Sequence, residues 1–116
     1  MNLVMKKIEA IIKPFKLEEV QDALEEIGID EMTVSEVKGY GRQNRHAEIY
    51  RSREYTLDFL PKLKIDLVVD DQNAERAMNA IVSAARTGKM DGDRVYISDV
   101  KETVYIRTEE REEIGV

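Results

Sequence analysis

The feature that most restricts the fold is the order in which the hydrophobic periodicity changes along the chain. Apolar residues alternate with a period of two in some segments and recur every three or four residues in others, which are the periods of strands and amphipathic helices. Their order is strand, helix, strand, long loop, strand, helix, strand within 116 residues. No repeat or linker divides residues 1–116, so the sequence predicts a single domain.

Four short apolar segments are predicted as strands. They are residues 4–12, 32–37, 63–69 and 95–100. Pro14 ends the first, because proline cannot donate to a strand ladder. The alternation after the fourth segment predicts that this strand continues through Val104 and Ile106. The polar tail of residues 109–116 is predicted to be mobile.

Two segments are predicted as amphipathic helices. The first has Leu17, Val20, Leu24 and Ile27 on its apolar side, and the second has Ala74, Ala77, Met78, Ile81 and Ala85. Gly28 and Thr87-Gly88 supply the C-terminal stops, and Asp70 and Asp71 can cap the start of the second helix. The resulting order predicts an α+β fold, the ferredoxin-like split β-α-β plait, with two helices on one face of an antiparallel sheet. The other face of such a sheet suggests self-association, because apolar side chains there need a cover.

Residues 39–57 form the predicted loop between the second and third strands, where neither period is sustained. Loops of this length in compact domains tend to be functional or disordered. This one carries four arginines and three tyrosines in an otherwise acidic chain. Arginine and tyrosine are frequent interface anchors, so we interpret the loop as an arm that docks on a partner protein; the alternative is a solvated hairpin.

Composition excludes several classes of function. The chain has 18 Lys+Arg against 24 Asp+Glu, a net charge of −6, which argues against nucleic acid as a partner. It has no cysteine, and no apolar run approaches the ~20 residues that span a bilayer. The N-terminus lacks the features of a signal peptide. We therefore expect a cytoplasmic protein that does not insert into membranes.

Catalytic groups are few. There is no cysteine, and the single histidine, His46, lies among charged loop residues. Neither a spaced pair of carboxylates nor the His/Cys spacing of a metal site stands out. The sequence therefore predicts that the protein is not an enzyme.

Four segments resemble the PII nitrogen-regulatory signal proteins. They are KKIEAIIKPFKLEEVQDALEEIGI, MTVSEVKGYGRQ, YRSREYTLDFLPKLKI and AARTGK, and the resemblance runs without a gap from residue 6 to residue 108. It implies a homotrimer with ligand clefts between subunits, which bind ATP or ADP competitively and 2-oxoglutarate through Mg-ATP. It also implies that the ligand state sets the shape of the loop, which docks on ammonium transporters, metabolic enzymes or other regulators. Tyr55 matches the loop tyrosine that is uridylylated in many bacterial members.

The resemblance also implies roles for single residues. Those matched to the adenine and ribose are Thr33, Gly39, Gly41 and Val68, and those matched to the phosphates are Arg42, Arg94 and Arg107. Gln43 matches the residue that helps to hold the magnesium of ATP and contacts 2-oxoglutarate. Lys62 matches the lysine that pairs with a 2-oxoglutarate carboxylate.

The phosphate-binding turn departs from the family pattern. The pattern T-G-x-x-G-D-G-K reads TGKMDGDR at residues 87–94, so Asp91, Gly92 and Asp93 replace glycine, aspartate and glycine. Tyr105 replaces the first arginine of the R-I-R motif. Two added aspartates (−2), one lost aspartate (+1) and one lost arginine (−1) change the formal charge by −2, which predicts weaker or altered nucleotide binding. A local register shift or a cation held by the aspartates are alternatives.

Other functions are compatible with the plait. A divergent PII paralogue with an altered ligand is the first alternative to a conventional sensor. A small acylphosphatase-like enzyme is a second, although its first loop would need an arginine and an asparagine where this chain has KPFK. A purely structural trimer of the copper-tolerance type lacks the long glycine-flanked loop.

Overall fold

Six strands and two α-helices make up the part of the chain that the computed structural model describes, residues 4–40, 59–88, 93–109 and 111–113. The elements are β1 (Met5–Ile12), a 3-10 turn (Pro14–Lys16), α1 (Leu17–Glu26), β2 (Thr33–Tyr40), β3 (Phe59–Asp70), α2 (Asp71–Ala85), β4 (Arg94–Val100), β5 (Glu102–Val104) and β6 (Arg111–Glu113).

The main sheet has four antiparallel strands in the order β2-β3-β1-β4. Its register places Ala10 of β1 between Ile65 of β3 and Val95 of β4. This order, with the helices following β1 and β3, confirms the predicted ferredoxin-like fold.

The core lies between one face of this sheet and the two helices. Alternate residues of the strands and one stripe of each helix are buried there: Ile8, Ala10, Ile12, Ile65, Leu67, Val69, Val20, Leu24, Ala74, Ala77, Ile81 and Ala85. The opposite face of the sheet carries charged residues and exposed apolar residues. Lys7, Glu9, Lys64 and Asp66 are half-buried, and Val68 and Tyr96 are exposed. The sheet therefore has one covered face and one charged, partly apolar face.

Both helices begin or end as their local sequences predict. Gly28 has φ +87°, a left-handed conformation suited to glycine, and its N–H donates to the carbonyl of Glu25 at 3.0 Å. The side chain of Asp70 caps α2, where its Oδ1 accepts from the backbone N–H of Asn73 at 2.9 Å. Local chemistry thus sets these two boundaries.

We expect Asp70→Ala to lower the stability of the fold by about 1 kcal/mol, because it removes this cap. The midpoint of thermal unfolding should fall by about 4 °C or more in a domain of this size. Asp71→Ala is the matched control, since Asp71 is the next residue and does not supply the cap. Equal losses in the two variants would contradict the assignment of the cap to Asp70.

Two strands are longer than the sequence predicts. β2 continues to Tyr40, so Gly39 pairs with Leu60 inside the sheet rather than lying in the loop. β3 begins at Phe59 and contains Pro61. Proline is tolerated there because β1 ends at Ile12, opposite Leu63, which leaves Pro61 with a paired strand on one side only.

The predicted continuation of the fourth strand is wrong. β4 ends at Val100, Val104 belongs to the separate hairpin of β5 and β6, and Ile106 lies in a turn and is 95% exposed. In the polar tail, Arg111–Glu113 form β6, and the mobility of the tail stays a prediction. None of the helices in the described part of the chain is long and apolar enough to cross a membrane.

Candidate functional site

Thr33 and Val68 lie on one surface cleft of about 580 Å³. Thr33 is the first residue of β2 and Val68 is near the end of β3, so the pairing of these strands brings together residues that are distant in sequence. Val68 is 48% exposed and offers an apolar surface to the cleft. The structure therefore joins two of the residues matched to the adenine and ribose.

Asp66 also lines this cleft, directly opposite Thr33 in the strand register. Its Oδ1 is buried and accepts no hydrogen bond from the described residues, and the Nζ of Lys7 is 3.9 Å away. A buried carboxylate oxygen normally has a donor, so an Oδ1 without a hydrogen bond distinguishes Asp66 from the other described residues that line the cleft. Sequence reasoning missed Asp66, because only the strand register shows that it faces Thr33.

Lys62 is the one charged residue among those described that is fully buried, at 6% exposure. Its Nζ donates to Oδ1 of Asp93 at 2.5 Å, and the Nζ of Lys13 is 3.5 Å from Oδ2 of the same carboxylate. Lysine is almost never buried unless it is paired. Residues near the start of β3, just before β4 and just after β1 thus form a lysine–aspartate–lysine cluster, and sequence reasoning did not select Lys13.

A second cavity, of about 260 Å³, lies beside this cluster. Its wall includes Thr87 and Gly88 from the turn after α2, and Asp93 and Arg94 from the start of β4. Gly88 has φ +83°, and the guanidinium of Arg94 lies over the ring of Tyr96 at 5.9 Å. The structure therefore brings together three predicted features: Lys62, Asp93 with Arg94, and the Thr87-Gly88 turn.

Other predicted site residues lie apart from these two clefts or outside the described residues. Gly39 is near the end of β2, paired with Leu60. Tyr105 and Arg107 are exposed and follow β5, in a segment where the N–H of Glu109 donates to the carbonyl of Tyr105 at 2.6 Å. Those outside the described residues are Gly41, Arg42, Gln43, Tyr55, Asp91 and Gly92, together with most of the loop of residues 39–57.

Charged residues of β1 and β3 form a network on the face of the sheet that the helices leave open. The Nζ of Lys64 is 3.0 Å from Oε2 of Glu9, and the Nζ of Lys7 is 3.7 Å from the same oxygen. The hydrogen bond from Lys64 holds the pKa of Glu9 below its usual value, and the same contact raises the pKa of Lys64. Each group favours the charged form of the other.

We expect Lys64→Met to raise the pKa of Glu9 back toward 4.5, its ordinary value. The fold lowers the pKa of Glu9, so the ionised carboxylate stabilises the protein fully above pH 4.5. This contribution is lost as the pH falls through the lowered pKa of Glu9. Titration of the Glu9 carboxyl by NMR measures the change directly. Lys6→Met is the control, because Lys6 pairs with Asp99 instead. An unchanged Glu9 titration in Lys64→Met would show that another group sets this pKa.

The arrangement has the chemistry of a binding site for anions. Two lysines and one arginine lie around the start of β4, and backbone turns can add N–H donors to phosphate oxygens. Within residues 4–40, 59–88, 93–109 and 111–113, no group of three or more His, Cys, Asp or Glu side chains could hold a metal ion.

Comparison with known proteins identifies relatives over nearly the whole chain. Residues 5–110 match the family model of Nitrogen regulatory protein P-II. The chain is 55% identical over 106 residues to the nitrogen regulatory protein P-II of Bradyrhizobium diazoefficiens, covering 91% of this chain and 95% of that protein. It is 49% identical over 112 residues to nitrogen regulatory protein P-II 1 of Escherichia coli, covering 97% and 100%.

A solved structure shares the fold. The crystal structure of Arabidopsis thaliana PII bound to citrate superposes with a TM-score of 0.72 at 31% sequence identity, covering 94% of this chain and 89% of that one. The similarity in sequence and the similarity in structure thus point to the same group of proteins.

Proposed function

This chain belongs to the nitrogen regulatory protein P-II family, and on that premise we propose that it is a homotrimeric signal-transduction protein of the cytoplasm. It senses ATP, ADP and 2-oxoglutarate and regulates nitrogen metabolism through the loop of residues 39–57. The names of its relatives are those of regulators rather than enzymes. We treat residues 1–116 as one domain that carries both the ligand clefts and the loop.

The observation that carries the proposal is the buried ammonium of Lys62. A buried lysine needs an anion, and a carboxylate already lies against it in this fold. The surroundings therefore fit one carboxylate of 2-oxoglutarate. The citrate in the Arabidopsis thaliana PII structure supports the same chemistry, since citrate is also a small polycarboxylate.

The nucleotide part of the proposal is supported by the cleft between β2 and β3. Val68 offers an apolar surface there, while Thr33 and Asp66 offer polar groups, and Asp66 can accept from an exocyclic amine. The family resemblance assigns Gly39 and Gly41 to the same adenine and ribose, although Gly39 lies at the opposite end of β2 from Thr33. Arg42, Arg94 and Arg107 are the proposed phosphate ligands. Magnesium enters with the phosphates of ATP, and Gln43 helps to hold it.

The open face of the sheet supports the trimer. It combines exposed Val68 and Tyr96 with half-buried charges, a composition that suits contact with a second copy. We expect a mass of about 40 kDa, three times the 13.4 kDa of the chain, by size-exclusion chromatography with light scattering. A mass near 13.4 kDa would rule out clefts shared between subunits.

The partners are proteins that accept the arginine-rich loop, such as an ammonium transporter, a metabolic enzyme or a regulator. Neither nucleic acid nor insertion into the membrane is part of the scheme. Tyr55 is the proposed modification site within this loop. Attachment of a charged group to its side chain would change the docking of the loop directly.

Isothermal titration tests ligand sensing. We expect ATP and ADP to compete for one site per subunit, and 2-oxoglutarate to bind only with ATP and magnesium present. If neither nucleotide binds to a purified trimer, the proposal of nucleotide sensing is wrong, while the proposal of a trimer is supported.

A second candidate is a divergent paralogue with weak or altered ligand binding. The carboxylate of Asp93 on Lys62 favours it, because that carboxylate takes the position expected for an acid ligand. The two candidates differ in measured affinity, and the same titration separates them.

A further inference from the structure

Asp93 bridges two lysines at the edge of the candidate site. Its Oδ1 accepts from Lys62 at 2.5 Å, and its Oδ2 lies 3.5 Å from the Nζ of Lys13. The exposed fractions of the side chains are 7% for Lys62, 18% for Lys13 and 18% for Asp93. Both ion pairs of Asp93 are well shielded from solvent, unlike a surface salt bridge.

The two lysines and one aspartate carry a net charge of +1. If Asp93 leaves Lys62, a buried ammonium loses its anion, which is unfavourable unless another anion replaces it. An acid ligand that pairs with Lys62 must therefore displace the carboxylate of Asp93 or bind against its charge. Either route lowers the affinity for the acid.

We propose that Asp93 is a specificity-determining residue that occupies Lys62 as an internal carboxylate and so competes with a small dicarboxylic acid for that lysine. The inference rests on the proposed function only for the choice of 2-oxoglutarate as the acid. The occupied site and its preference for a carboxylate follow from the contacts of Lys62 and Lys13.

Competition of this kind has a simple arithmetic. The apparent Kd equals the intrinsic Kd divided by the fraction of molecules in which Lys62 is accessible to the ligand. Asp93 immediately precedes Arg94, which pairs with Ile11 in the sheet, so its backbone is already positioned and little entropy is lost on pairing. The cavity of about 260 Å³ beside Asp93 gives the carboxylate room to leave when a ligand arrives.

The first experiment compares Asp93→Asn with Asp99→Asn. Asparagine keeps the shape of the side chain and removes its charge. Asp99 is the matched control, because its Oδ1 also lies 2.5 Å from a lysine Nζ, that of Lys6, away from Lys62. We expect 2-oxoglutarate, titrated with ATP and magnesium, to bind Asp93→Asn at least tenfold more tightly than wild type, and Asp99→Asn to remain within twofold.

The second experiment needs no nucleotide. Asp93→Ala removes the carboxylate and leaves its place empty, so we expect the variant to melt at a lower temperature than wild type. Sodium acetate should restore part of that loss, and sodium chloride at equal ionic strength should not. Wild type should show no acetate-specific gain, because its own carboxylate is in place.

The outcomes separate this inference from the proposed function. If wild type binds 2-oxoglutarate as tightly as Asp93→Asn does, the sensor stands and the competition is refuted. If acetate rescues Asp93→Ala while no variant binds ATP or 2-oxoglutarate, Lys62 is a carboxylate site but the proposed sensing is wrong. Absence of acetate rescue in a folded Asp93→Ala overturns the inference on its own.

Discussion

Replacing Asp91 and Asp93 with glycine and Tyr105 with arginine is expected to tighten ATP binding by about 100-fold, or roughly 2.7 kcal/mol. The change removes two negative charges (+2) and adds one positive charge (+1), a change of +3 at positions that the family resemblance matches to the phosphate site. Like charges placed together at a binding site cost several kcal/mol, so the swing is large enough for this effect. Titration of the purified protein with ATP and magnesium measures it.

A second variant separates charge from backbone freedom in this prediction. Asp91→Asn with Asp93→Asn removes both charges but leaves side chains where the family pattern has glycine. Glycine allows a close approach of phosphate to backbone N–H groups, which asparagine hinders. We expect the asparagine variant to gain part of the affinity. Equal ATP binding by wild type and the triple variant would remove the charge argument altogether.

Much of the fold could be predicted because local chemistry decides it. Gly28 ends α1 in a left-handed conformation, and Asp70 caps α2, so both boundaries follow from a few neighbouring residues. The alternation of buried Ile65, Leu67 and Val69 likewise follows from the pleat of a strand. The order of the elements, the antiparallel type of the sheet and the face that the helices cover could therefore be predicted from the sequence.

Strand ends were harder to predict because pairing decides them. Pro61 reads as a strand breaker, yet it lies in β3 because β1 has already ended beside it. Val104 continues the apolar alternation, yet it is 45% exposed in a three-residue strand of the separate hairpin. Periodicity alone does not show which partner strand is available.

The candidate site was predictable residue by residue only through the family resemblance. That resemblance selected Lys62 and Asp93 for different ligands, but not the contact between them. The pair is separated by 31 positions, and Lys13 joins it from the end of β1. Such a contact depends on the register of three strands, which a single sequence does not specify.

Ile65→Ala is expected to have the largest effect on stability, a loss of about 3–4 kcal/mol within the 2–5 kcal/mol typical of such truncations. Ile65 is 0% exposed on the covered face of β3. Its partner across the strand pair is Ala10, whose methyl group cannot move to fill the space that the isoleucine leaves. Denaturant unfolding at fixed protein concentration measures the loss, since the proposed assembly would also contribute to stability.

Val68→Ala is the matched control for this prediction, because it truncates a β-branched residue of the same strand on the opposite, open face. Val68 is 48% exposed, so its loss should be below about 0.5 kcal/mol in the subunit fold, as for other surface substitutions. A small effect of Ile65→Ala would mean that the helices can close over the cavity, and the core would then be looser than its burial indicates. A large effect of Val68→Ala that appears only at high protein concentration would instead place Val68 in contact with a second copy, which is the cover proposed for the open face.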